Sequence, residues 1–193
     1  MTPEQALDQL RSLTNPEKAT EMARYHKVDR PYLGVANPDI DTLCKEWRAA
    51  VDLDTRLTLA SGLWDSNIHE ARVAAAKLLT QARIRPDDSG AWDLIASWVP
   101  EFDMWTKRAA LVMTLPWPKQ NHPNPTDLAI RDRVLGWAAS YTTDHDWFIQ
   151  KAIAWWLREL SKHDAPRVRA FLDAHSDQMK PFAVKEAARK LPD

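Results

Sequence analysis

Proline placement constrains this chain more than any other feature of its sequence. Thirteen prolines are spread along 193 residues, against only four glycines. Proline is accepted in a first helical turn, where its missing N–H would have no intrahelical partner, and its ring clashes with the preceding turn inside a helix. Prolines spaced between long runs of helix formers therefore read as punctuation between helices. So few glycines also exclude folds built on many tight turns or on glycine-rich phosphate loops.

The segments between these marks carry helical periodicity. Pro3 opens a stretch with Ala6, Leu10 and Leu13 at three- and four-residue spacing. Asn15-Pro16, a capping residue and a first-turn proline, predicts a helix through Tyr25. Residues 30–36 (RPYLGVA) read as a connector, and Asn37-Pro38 as the start of a helix through Trp47. Asp54 is expected to cap the next helix, with Leu57, Ala60, Leu63 and Trp64 on one side. Asn67 precedes IHEARVAAAKLLTQA, rich in strong helix formers. The polar turn RPDDSG leads to AWDLIASWV and MWTKRAALVMTL, and the connector PWPKQNHPNP to TDLAIRDRVLGWAASY. DWFIQKAIAWWLRELSK, APRVRAFLDAH and KPFAVKEAARKL follow. About eleven helices and no β-branched alternation point to an all-α chain, with helix pairs recurring about every 35–45 residues, as in HEAT-like repeats. The expected architecture is one domain, residues 1–193, a solenoid of stacked antiparallel helix pairs with one concave basic face.

Charge is unevenly distributed. Residues 1–103 hold 12 Lys and Arg against 17 Asp and Glu, whereas residues 104–193 hold 14 against 10. The net charge of −1 thus hides an acidic first half and a basic second half, which suits either plain solubility or a basic binding surface. Cys44 is the only cysteine, so no internal disulfide and no thiolate metal site is expected. No apolar run reaches the roughly 20 residues of a membrane span. A reducing, cytoplasmic setting and a monomer without metal or cofactor are the expectations.

The stretch 147–162 carries the most chemical information. Ile149, Ile153, Trp156 and Leu160 share one helical face and should be buried. Lys151, Trp155, Arg158 and Lys162 repeat that spacing two residues later, on roughly the opposite face. Such a stripe fits a nucleic-acid backbone, with cations on phosphates and the indole on a sugar or base. It equally fits a solvated face whose tryptophan packs on a neighbouring repeat under snorkelling cations. Arg108 shares a largely apolar face with Met104, Leu111 and Leu115, which calls for either a structural ion pair or a bound anion. His69-Glu70 begins like a zinc-protease helix, but position 73 is valine, and the six histidines show no ligand spacing.

Several stretches resemble the AlkD-like family of DNA alkylation-repair glycosylases: YHKVDRPYLGV (25–35), LWDSNIHEARVAAAKLL (63–79), WTKRAALVMTL (105–115), DWFIQKAIAWWLREL (146–160) and the closing KEAARKL. The resemblance implies a HEAT-like α-solenoid that grips duplex DNA containing alkylated bases and hydrolyses the N-glycosidic bond of purines alkylated at N3 or N7. It further implies that this happens without the base flipping of most glycosylases. By position, Trp155 matches the sugar-contacting tryptophan, Arg108 the arginine of a W-x-x-R motif, and Tyr25 a groove aromatic. Lys107, Lys151, Arg158 and Lys162 are the cations expected on DNA.

One departure matters. The family carries a W-x-x-x-D element with the catalytic aspartate, but here PEFD (100–103) runs directly into MWTKRAAL. A helical hairpin is therefore missing between Asp103 and Met104. Three explanations stand: a loop of a longer chain omitted at this point (the preferred one), a natural deletion leaving an inactive DNA-binding relative, or Asp103 in the carboxylate's place. The expected function is glycosylase chemistry with Trp155, Arg108 and Asp103 at its centre. The alternative is a non-catalytic helical-repeat protein that binds distorted or branched DNA.

Overall fold

The computed structural model describes residues 1–79, 89–98 and 104–192. Those residues form eleven α-helices and a short 3-10 turn, with no strand among them, an all-α helical-repeat fold. They divide into two compact units, Met1–Ala91 and Trp92–Asp193. No helix among the described residues is long and apolar enough to cross a membrane.

The first unit contains α1 (Pro3–Ser12), α2 (Pro16–His26), α3 (Asn37–Ala50), α4 (Leu53–Asp65) and α5 (His69–Leu79). Thr2 closes a capping box with Gln5 ahead of α1, and the Asn15 side chain accepts from the Lys18 amide ahead of α2. Both prolines then fall in a first turn, as their fixed φ favours. Two expectations shift by a residue or two. Asp52, not Asp54, caps α4, because its extended backbone aims the carboxylate at the Thr55 amide, 2.9 Å away. Ala36 occupies the cap position of α3, so Asn37 lies inside the first turn and its side chain caps nothing. Leu13 follows α1 as its C-terminal cap and is 42 % exposed, so the apolar face ends at Leu10.

α4 and α5 pair as a hairpin, with α1 packed on α4 and α3 on α5. Leu10, Ile40, Trp47, Leu63 and Leu78 fill the space between them, and the Trp47 indole donates to Gln9 Oε1 at 2.6 Å. The connector after α2 is held by one buried carboxylate. Glu70 Oε2 accepts from the Leu33 amide at 2.9 Å and Oε1 from the Gly34 amide at 2.6 Å. The Pro31 carbonyl accepts from His69 N and the Leu33 carbonyl from Asn15 N, so α2 and α5 are both laced to this segment.

The second unit holds buried Ile95 of α6 (Ser89–Trp98), α7 (Met104–Met113), α8 (Pro125–Ser140), α9 (Trp147–Leu160), α10 (Ala165–His175), a 3-10 turn (Ser176–Gln178) and α11 (Pro181–Ala188). α9 is its axis, in contact with α7, α10 and α11. Ile149, Ile153, Trp156 and Leu160 are fully buried, as their spacing requires. Each contributes on the order of 1.5–3 kcal/mol over an exposed position. The buried Trp156 indole is satisfied by Thr114 Oγ1 at 3.1 Å.

Two polar groups fix the loops of this unit. Arg131 is buried and donates to the carbonyls of Trp117 and Gln120, pinning the proline-rich connector. Its other contact is Asp164, the N-cap of α10, at 3.5 Å. Buried Gln150 donates to the Thr142 and Asp144 carbonyls, both at 2.9 Å, and accepts from the Lys180 amide at 2.9 Å. Lys180 is the N-cap of α11, so one amide sets the start of α11 against α9.

Candidate functional site

The face of α9 opposite its buried stripe borders a cleft of about 590 Å³, closed on the other side by α11. Trp147, Lys151, Ala154, Trp155 and Arg158 come from α9, and Phe182 and Glu186 from α11. Helical spacing explains the α9 set: residues three and four apart stack on one face, so the interval separating Lys151, Trp155 and Arg158 brings all three to one opening. Trp155 is half-buried, with part of its ring packed against the core of the unit and part facing the cleft. The packed part fits the reading in which the tryptophan rests on neighbouring helices, and the rest leaves ring surface open to the cleft.

The cations of the stripe differ in what they touch. Arg158 bonds Glu186 across the cleft and lies 3.3 Å from Glu159. Lys162 binds Glu159 at 2.8 Å. Burial works to raise the Glu159 carboxyl, but Lys162 and Arg158 outweigh it and hold it below the ordinary range. Lys107 meets Asp144 at 2.8 Å. Burial again acts upward on Asp144, but the hydrogen bonds it accepts from Lys107 and from the Asp146 amide bring it below the ordinary carboxylate value. Lys151 is exposed and makes no ion pair among the described residues; its ammonium sits 4.3 Å from the centre of the Trp147 ring.

The remaining expected site residues are Arg108, Tyr25 and Asp103. Arg108 is half-buried on α7, its guanidinium 5.6 Å from the centre of the Trp105 ring, and it does not line the cleft. Trp105 in turn touches Phe148 of α9, with centroids 4.8 Å apart. Tyr25 belongs to the first unit, is 65 % exposed, and meets His26 edge-on at 5.1 Å. Asp103 lies outside the described residues.

Reading the sequence missed three residues of the cleft: Trp147, Phe182 and Glu186. Trp147 and Phe182 are 48 % and 38 % exposed, with ring centres 6.4 Å apart and planes 30° apart. Their proximity rests on the docking of α11 onto α9, which no local spacing announces. Glu186 also binds Arg189 at 3.3 Å, so the carboxylate is shared by two guanidinium groups. In the first unit, His26, Tyr32 and His69 stack, the two histidines 4.3 Å apart. Glu70, half of the zinc-protease-like pair, spends both oxygens on backbone amides. Among the described residues no group of His, Cys, Asp or Glu is gathered to hold a metal ion.

Chemically, the cleft offers aromatic faces for a sugar, a base or a positive charge, and cations for phosphate. The family model described as DNA alkylation repair enzyme matches residues 6–105 and 102–191. The two matched stretches meet at 102–105, the point at which the sequence led us to expect a missing hairpin. A solved structure described as a predicted DNA alkylation repair enzyme from Enterococcus faecalis shares the fold, with a TM-score of 0.55 at 19 % identity, over 93 % of this chain and 97 % of that one. No curated protein matches the chain. With the family model covering nearly its whole length, the chain belongs to the DNA alkylation repair enzyme family.

Proposed function

We propose that this protein is a monofunctional DNA glycosylase that hydrolyses the N-glycosidic bond of purines alkylated at N3 or N7 in duplex DNA. The observation that carries this reading is the gathering of Trp155, Lys151 and Arg158 at one cleft of a chain in this family. An alkylated purine is already cationic, so the C1′–N bond breaks with the electron pair leaving on the base. The sugar becomes oxocarbenium-like, and water adds to C1′ and loses a proton. The Trp155 ring face favours the positive charge that develops at the sugar. Lys151 and Arg158, with Lys107 and Lys162, hold phosphates on either side. Arg108 and Tyr25 are further proposed contacts, and a carboxylate near position 103 completes the charge stabilisation. Truncating the indole tests the role of Trp155: Trp155→Ala should lower base release on the order of 100-fold while duplex binding persists. Unchanged release would remove Trp155 from the chemistry.

A second reading, binding of distorted or branched DNA without hydrolysis, is favoured by one specific observation. Among the described residues lining the cleft, the single carboxylate is Glu186, and it is committed to Arg158 and Arg189. Under that reading, Trp155→Ala weakens binding and no substrate loses its base.

A further inference from the structure

We propose that Trp147, Phe182 and Lys151 form a stacking site for an unpaired DNA base at the mouth of the cleft, an inference that rests on the DNA-binding part of the reading above. Large exposed aromatic side chains are scarce among the described residues: Tyr25, Trp147 and Phe182. Two of the three stand together, from different helices, with ring centres 6.4 Å apart. A monomer gains nothing in stability from leaving an indole and a phenyl ring half in water, whereas a planar ligand gains a ready-made surface. The rings open onto the same cleft that holds Trp155 and Arg158, so a strand lying along α9 passes them.

Lys151 specifies the ligand further. Arg158, Lys162 and Lys107 already have carboxylate partners, while Lys151 has none among the described residues and rests over the Trp147 ring. An ammonium over an exposed ring is worth only a few-fold in equilibrium terms, whereas base–aromatic stacking is worth roughly five- to a hundredfold. An incoming base can therefore displace the ammonium from the indole, and the ammonium then meets the phosphate attached to that base. Aromatic face plus adjacent cation fits a nucleotide better than an apolar peptide, which would leave the charge unmatched. The base must be unpaired, because a base within an intact stack presents its edge, not its face, to a protein surface.

The test compares two duplexes of the same sequence, one fully paired and one with a single unpaired 2-aminopurine, by titration at fixed salt. The wild-type protein should bind the unpaired-base duplex about fivefold or more tightly, and stacking should quench the 2-aminopurine fluorescence. Trp147→Leu and Phe182→Leu should bring the affinity ratio towards one and restore the fluorescence, while Trp147→Phe keeps most of both. Both rings are exposed, so circular dichroism and thermal unfolding should show the variants folded. Equal affinity of the wild type for both duplexes, or an undiminished ratio in Trp147→Leu, overturns the stacking site alone. Binding to neither duplex overturns it together with the DNA-binding reading.

Discussion

At the residue scale, two positions show how little freedom the chain has around its connectors. Gly34 has φ +75°, and a Cβ built there would lie 2.1 Å from the Asn15 carbonyl oxygen and 2.6 Å from the Ala19 amide nitrogen. Both are backbone atoms at the start of α2 and cannot swing aside. Gly34→Ala should therefore cost on the order of 2–3 kcal/mol, read as a lower denaturation midpoint. A loss under about 0.5 kcal/mol would mean the connector relaxes easily. Glu70→Ala should be at least as severe, since it leaves the Leu33 and Gly34 amides without their acceptor, at about 1–3 kcal/mol for each buried group. Cys44 behaves differently. It is fully buried, and burial pushes its thiol up to about 12, so the thiolate is scarce at neutral pH. Native protein should resist iodoacetamide that labels the unfolded chain at once, which mass spectrometry reads directly.

At the element scale, the cleft is a consequence of α11 docking on α9. Gln150 sets where α11 begins, and the Arg158–Glu186 contact ties the two helices further along. That contact also sets a competition: a phosphate must draw Arg158 away from Glu186. Glu186→Gln should release the guanidinium and raise duplex affinity several-fold. Arg158→Ala should lower it and reduce the slope of log affinity against log salt by about 0.9. If Glu186→Gln leaves affinity unchanged, Arg158 does not meet phosphate. The helices of this region were legible because their signals are local. Asp146 caps α9, and the buried stripe follows from spacing alone. Trp147, Phe182 and Glu186 were not legible as a group, since they meet only after two helices separated by a loop and α10 come together. The cap of α4 was displaced by two residues because two aspartates compete and only the backbone angle of Asp52 decides. Arg108 was recognised as unusual from the apolar face it shares; that its guanidinium also meets the Trp105 ring was not read from the sequence.

At the scale of the whole molecule, stability should fall in acid. Asp132 is lowered first by its Arg167 hydrogen bond, and Asp144 and Glu159 also lie below their ordinary values. A carboxyl depressed in the folded state contributes stability that is complete above about pH 4 and is lost as pH drops through the lower folded value. Burial lowers the His163 imidazole, with Arg131 and Lys162 adding to it, so its contribution likewise fades below about pH 6.5. The unfolding temperature should therefore decline from neutral pH towards pH 3, most steeply below 4, and Asp132→Asn should flatten that last decline. An acid-independent unfolding temperature would mean these pairs are as loose folded as unfolded. The basic surplus of residues 104–193 coincides with the unit that holds the cleft, where Lys151 is exposed. If this cleft serves hydrolysis of an alkylated nucleoside, as proposed above, the protein releases free base from alkylated duplex. Purified protein is incubated with duplex DNA carrying 7-methylguanine, and the freed base is measured against a protein-free control. Release well above the control is the expected result. Release equal to the control, with binding to the same duplex intact, would contradict the glycosylase reading and leave a protein that binds DNA without cutting its glycosidic bond.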